Sequence, residues 1–231
     1  EREKNEKGQL SFLYRLIKFL IVSSLFLMKQ HLKKAYQLIH VNNIPDFLVF
    51  AALFPKLLGA KVILDIHDII PELYADMFNQ TKNSILFKSL VTVEKISCTF
   101  ADHVIIANHI WYKVITTRSV NENKCSVVLN YPDENVFFKR PRQRQDDKFV
   151  MIYPGSLNRR QGVDIAVKAF ALIKDKIPIA EFHIYGTGKD VDYLKRLILD
   201  LGLQDRVFLK GSLPIYEVAE KMANADLGIE P

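Results

Sequence analysis

A chain of 231 residues, 49% hydrophobic and 25% charged, carries enough apolar material for one large domain or two small ones, which excludes a disordered tail. Its formal charge of +6 and pI of about 9.2 favour anionic partners such as phosphates, nucleotides or an acidic membrane surface. No zinc spacing, RNA-binding aromatic motif or basic zipper accompanies the scattered basic residues, so nucleic acid is not the expected partner.

The chain opens on Glu1 rather than Met and ends on Glu230-Pro231 directly after a strand-like run, so both ends read as cut. The first element is an apolar helix over 10–28. Its uncharged core, 19–28, is too short to span a bilayer, and extending it backwards takes in Arg15 and Lys18. The mixed charges of Glu1-Arg2-Glu3-Lys4 and the lack of a small-residue cleavage site argue against a signal peptide. The favoured expectation is a core helix packed through Phe19 and Leu25 on the first domain, with at most one apolar strip left for a membrane. The other reading is an interfacial helix flanked by Lys29, Lys33 and Lys34, which would place the protein peripherally at the inner membrane face.

Beyond it, short Val- and Ile-rich runs alternate with helical patterns, the signature of βαβ units and a parallel sheet. The first series predicts strands at 37–41, 61–66, 103–107 and 126–129, with helices at 45–58, 83–100 and 108–118. The second predicts strands at 149–153, 180–185, 206–209 and 226–229, with helices at 163–174, 190–201 and 215–223. Between them, 139–148 holds no apolar side chain except Pro141, which predicts a solvated linker. The expected division is therefore a first domain at 1–140, a charged linker at 141–148 and a second domain at 149–231. Cys98 and Cys125 lie in no C-x-x-C pair and read as buried thiols of a reducing cytoplasm.

Ligands of open parallel sheets bind beyond the carboxyl ends of the strands, so polar residues there are the informative ones. In the first series these are Asn42 and Asn43, then His67 and Asp68 with Glu72 close behind, then Asn108. His67 emerges from a strand that Val62, Ile63 and Leu64 would bury, and an imidazole there either bonds a substrate hydroxyl or satisfies local backbone. In the second series, Gly155 with Ser156, and Gly186 with Gly188, stand at strand-to-helix turns, where a missing Cβ lets backbone amides approach an anion. Arg159 and Arg160 follow on the Gly155 loop and would add the positive charge that a diphosphate needs, or else face solvent. The spacing does not form G-x-G-x-x-G, which disfavours a nicotinamide cofactor, and no acidic metal motif appears.

These segments, taken in order, resemble glycosyltransferase family 4. The resemblance rests on Ile39-His40-Val41-Asn42-Asn43, on Asp65-Ile66-His67-Asp68-Ile69-Ile70-Pro71-Glu72-Leu73, and on Asn130-Tyr131-Pro132-Asp133 with Phe137. It continues through Gly155-Ser156-Leu157, Gln161-Gly162-Val163-Asp164, Tyr185-Gly186-Thr187-Gly188, the run 203–211 and Ala225-Asp226-Leu227-Gly228. It implies an α/β protein of GT-B type, two Rossmann-like domains facing each other across a cleft, both incomplete here. It further implies transfer of a sugar from a nucleotide diphosphate sugar to a saccharide or lipid-linked acceptor, with retention at the anomeric carbon and without metal or other cofactor.

The resemblance gives His67 a contact to the donor sugar near the reacting centre. It lays the loop of Gly155, Ser156 and Gln161 along the diphosphate and sets Ser212 and Leu213 against the base. Asn42, Asn43, Asp68, Glu72 and Asn108 fall on the acceptor side. Two departures stand out. Family members carry arginine and lysine on the diphosphate loop where this chain has Ser156 and Gln161, so Arg159 or Arg160 would supply the charge. The family's paired-glutamate motif is expected after Pro231 and its first strand before Glu1, so residues 1–231 alone are expected to bind a nucleotide diphosphate weakly and not to turn over. A nucleotide-sugar epimerase of the same fold and a non-catalytic nucleotide-binding module are the competing readings.

Overall fold

The alternating runs build two separate four-stranded parallel sheets, each with its own core. The structure, a computed structural model, describes residues 9–77 and 81–231. Its contacts cluster into two units, Glu1–Tyr131 and Pro132–Pro231.

In the first unit, α1 (Gln9–Lys33) leads into β1 (Leu38–Asn42), and a 3-10 segment, Asp46–Ala52, runs into the short α2 (Leu53–Leu57). Then follow β2 (Lys61–Ile66), α3 (Ile70–Met77), α4 (Ile85–Phe100), β3 (His103–Ile106), α5 (His109–Arg118) and β4 (Cys125–Val127). The sheet order is β1-β2-β3-β4. Alternation sends Ile39, Val62, Leu64, Ile66, Val104 and Ile106 into the core, where Cys98 and Cys125 are also buried. The opposite face carries His40, Asp65 and His103, exposed or half-buried.

Two helices differ from expectation. The pattern at 45–58 forms a 3-10 segment and one turn of α-helix rather than a single helix. The sequence motif at 65–73 hides the start of α3, with Pro71 in the first turn where its missing N–H costs nothing and Glu72 beside the positive helix end.

The expectation of a core helix for α1 is overturned. It packs along the Asp46–Ala52 segment and α2, yet leaves Tyr14, Ile17, Phe19, Ile21, Val22, Leu25, Phe26 and Leu32 exposed, with Phe19 at 57% and Leu25 at 55%. A single helix resting on a thin 3-10 ridge covers one narrow face, not the wide stripe that packing on a sheet would hide. No helix among the described residues is long and apolar enough to cross a membrane.

The second unit runs β5 (Phe149–Pro154), α6 (Val163–Ile173), β6 (Ala180–Tyr185), α7 (Val191–Asp200), β7 (Val207–Gly211), α8 (Ile215–Ala223) and β8 (Leu227–Gly228), in sheet order β7-β6-β5-β8. Phe170, Phe182, Ile184 and Leu203 are fully buried at its centre. The contacts divide the chain at 131/132, ahead of the charged stretch, because that stretch is strapped to the second unit. Arg142 and Arg144 each bond the Asp226 carboxylate, at 2.5 and 2.8 Å, and the Asn224 side chain accepts from the Gln143 and Arg144 amides. Although burial acts to raise it, the Val150 amide and these two arginines hold the Asp226 carboxyl below the usual carboxylate range.

Candidate functional site

In the first unit the turn after β2 is fixed by one side chain. Asn43, at the end of β1, accepts from the His67 amide at 3.0 Å and donates through Nδ2 to the Asp68 carbonyl and to Asp46 Oδ1, each at 2.8 Å. Asp46 is only 3% exposed, and its carboxylate, which can only accept, sets which way the Asn43 amide faces. Desolvation pushes the Asp46 carboxyl up to about 6, against the Asn43 hydrogen bond that lowers it.

The His67 ring stands at this turn with 39% of its side chain exposed. Its Nδ1 lies 3.4 Å from Asn130 Nδ2 and its Nε2 3.6 Å from Asp65 Oδ2, while His40 Nε2 bonds the same Asp65 oxygen at 2.9 Å. The sequence singled out His67, named Asp65 and Asn130 only as members of strand-end motifs, and missed Asp46. For Asp65 the signal was there: it is two residues before His67, so it projects on the sheet face that His40 also occupies.

Three of the acceptor-side residues make structural bonds. Asn43 is the staple just described. Glu72 takes both oxygens to Arg118, at 2.6 and 2.8 Å, and Arg118 also grips Glu94, which is wholly buried and accepts a further bond from Ser119. This ties α3, α4 and α5 together and holds the Arg118 guanidinium in its charged form. Asn108 caps α5, its Oδ1 accepting from the Trp111 amide at 2.8 Å. Asn42 and Asp68 are exposed at the strand ends.

In the second unit the loops after β5, β6 and β7 meet around a cavity of about 310 Å³ lined by Gly155, Ser156, Gly186, Thr187, Ser212 and Leu213, with Ile215 and Val218 of α8. The sequence-predicted Gly155, Ser156, Gly186, Ser212 and Leu213 are thus brought together. The reason for the glycines is different from the one expected. A Cβ on Gly186, whose φ is +144°, would sit 1.8 Å from the Gly155 carbonyl oxygen, and one on Gly188 would sit 2.2 Å from that of Leu157. Their bareness lets two backbone loops pack on each other. The Gly155 and Gly186 amides are already donated, to Tyr185 and Gly211 carbonyls, as is that of Leu157 to Thr187. Among the described residues that line this cavity, the amides of Ser156, Thr187, Ser212, Leu213 and Ile215 donate no hydrogen bond within the chain.

Arg159 is turned away from the cavity lining. Its guanidinium lies over the Tyr193 ring at 5.1 Å and its amide donates to Asp190 at 2.7 Å. Arg160 is exposed, and Gln161 lines a second cavity, about 510 Å³, on the other side of the Gly155 loop with Glu230. Sequence reading missed Thr187, Ile215 and Val218, which only the approach of α8 to the β6 loop reveals.

Residues 135–231 match the family model for glycosyl transferases group 1. The match falls within the second unit. The 310 Å³ cavity and its three loops all lie inside the stretch matched to that family. The chain is 29% identical over 140 residues to the poly(glycerol-phosphate) alpha-glucosyltransferase of Bacillus subtilis, covering 60% of this chain and 18% of that protein. It is similar in fold to the sucrose-phosphate synthase of Thermosynechococcus elongatus, with a TM-score of 0.73 at 18% identity over 98% of this chain and 57% of that one. It is likewise similar to Anabaena HepE, solved in complex with UDP, with a TM-score of 0.69 at 18% identity over 90% and 56%. The chain therefore spans between about a fifth and three fifths of these proteins. The α/β class with GT-B relatives, expected from the sequence, is the fold observed.

Gly186→Ala is a direct test of the loop packing. A methyl there meets backbone, not a movable side chain, and the backbone conformation is one L residues rarely adopt. The substitution is expected to destabilise the second unit by about 1–3 kcal/mol. Urea unfolding followed by circular dichroism checks it, and an unchanged midpoint for the second unit would refute the packing account.

Proposed function

We propose that the chain is the core of a family 4, retaining glycosyltransferase that moves a hexosyl group from a nucleotide diphosphate sugar to a saccharide or lipid-linked acceptor, at the cytoplasmic side of cell-surface polysaccharide or glycoconjugate synthesis. The observation that carries this reading is the 310 Å³ cavity in the stretch matched to the group 1 model. It sets the unbonded amides of Ser156, Thr187 and Ser212, with those of Leu213 and Ile215, beside an apolar wall formed by the side chains of Leu213, Ile215 and Val218. Amides suit phosphate oxygens, and the wall suits the face of a base. A UDP complex of HepE and a glucosyltransferase among the relatives support the same ligand class.

Departure of the diphosphate leaves positive charge on the sugar and negative charge on the leaving group, so fixed dipoles at the phosphates act where charge develops. His67, held by Asn130 and backed by Asp65, is given the contact to the donor sugar. No metal or other cofactor enters the proposal, and transfer is expected to survive EDTA.

Calorimetric titration of the 231-residue chain with UDP and GDP tests the site. One nucleotide is expected to bind at a single site, and no binding of either by folded protein would remove the assignment. In the full-length enzyme, His67→Ala is expected to lower kcat about 10- to 100-fold, the worth of one hydrogen bond to a charge-bearing centre, with the donor KM little changed. NMR of the first product should show the donor's anomeric configuration. An inverted product would remove retention, and an epimerised nucleotide sugar formed without acceptor would replace the transferase reading.

A further inference from the structure

Asp46 is a buried carboxylate that the stability of the fold does not call for. It begins the 3-10 segment Asp46–Ala52, which is anchored by the wholly buried Val49 and Ala52. Its side-chain hydrogen bond comes from the neutral Asn43 amide, while Arg118 and Glu94 act on it through space with opposite signs. A charge buried without a cation in contact costs stability. What this carboxylate supplies instead is direction, because it can only accept.

The neighbouring strands show what is being directed. β1 and β2 run parallel to their last pair, Asn42 opposite Asp65, and the Asn43 amide N–H then donates to the Asp65 carbonyl at 2.8 Å. The two chains therefore leave the sheet side by side, and the Asn43 side chain bridges them to His67 and Asp68. Turned over, that amide would set Nδ2 against the His67 N–H, and Oδ1 against both the Asp68 carbonyl and the Asp46 carboxylate. Two of these three partners belong to the turn being held. Asp46 is the partner on a separate, buried segment, so it fixes the bridge in place as well as in sense.

We infer that Asp46 is a positioning residue for the proposed transfer: through Asn43 it holds the backbone of His67 and Asp68 where the His67 ring can meet the donor sugar. The inference rests on the donor-sugar contact proposed for His67.

The test compares two near-isosteric changes that both remove the buried charge. Asp46→Asn keeps an oxygen for Asn43 Nδ2, and Asp46→Leu offers none. In the 231-residue chain, exchange of the His67 amide followed by NMR is expected to speed up about 5-fold in Asp46→Leu, the worth of one hydrogen bond, and to change less than about 2-fold in Asp46→Asn. The full-length enzyme is assayed by release of UDP from UDP-glucose or of GDP from GDP-mannose, whichever donor the native enzyme turns over. There kcat is expected to fall about 10-fold in Asp46→Leu and less than about 3-fold in Asp46→Asn, with the donor KM little changed in both. A role in stability alone would not separate the variants, since both relieve the same burial cost. If Asp46→Leu does not fold, Asn43→Ala at its half-buried position carries the same expectations for exchange and kcat. Native His67 exchange in Asp46→Leu, or equal losses of kcat in the two Asp46 variants, would overturn the inference. Native kcat in Asp46→Leu beside a lowered kcat in His67→Ala would overturn it while leaving the role of His67 standing; native kcat in His67→Ala would remove both.

Discussion

Arg118→Ala is expected to cost the first unit about 3–5 kcal/mol. The reason is what the substitution leaves behind. Glu94 is completely buried, and three of the contacts that make its charge tolerable come from Arg118 Nε and Nη2 and from Ser119. Removing the guanidinium strands a carboxylate in the core and also releases Glu72, so α3 loses its tie to α4 and α5. The pair is not itself a large source of stability, because burying both charges offsets most of their attraction. The double variant Glu94→Leu with Arg118→Met should therefore recover more than half of the loss. Urea unfolding read by Trp111 reports on this unit alone, since the chain has one tryptophan and it packs against the first core. A loss under about 1 kcal/mol for Arg118→Ala would show that Glu94 finds water or another partner.

Asp46→Asn should act in the opposite direction. Burial raises the folded-state pKa of Asp46 from 3.8 to about 6, so the native protein binds this proton more tightly than the unfolded chain does. The resulting stabilisation is fully present below pH 3.8 and is lost as the pH rises through about 6. Above that, the chain carries a buried charge whose cost is about 3 kcal/mol, from about two pKa units. Asparagine has the same shape, keeps an oxygen to accept from Asn43 Nδ2, and carries no charge. The variant is expected to be more stable than the native chain by up to about 3 kcal/mol at pH 7.5 and equal to it at pH 4. A variant equally stabilised at both pH values, or destabilised at pH 7.5, would contradict the burial account. The two predictions are coupled: Arg118 lowers the Asp46 pKa through space, so in Arg118→Ala the Asp46 titration should move upward.

The alternation of apolar runs and the strand-end polar residues determined the two parallel sheets, the order of their elements and the loops that carry Gly155, Gly186 and Ser212. These are local properties, because strand period and turn chemistry are written in neighbouring residues. Which partner each polar side chain takes was not legible in the same way. Glu72 and Glu94 meet over Arg118 from three helices, and Asp46 reaches the His67 turn only through Asn43. Likewise, Gly186 looked like a phosphate-loop glycine in sequence, and its true constraint is the carbonyl of Gly155, which lies 31 residues away along the chain and 1.8 Å from where its Cβ would be. The apolar pattern of α1 marked a helix but not how much of it would stay exposed, since that depends on what packs beside it. Hydrophobic period sets the element; only the tertiary contacts decide which of its faces is covered and which polar groups are already engaged.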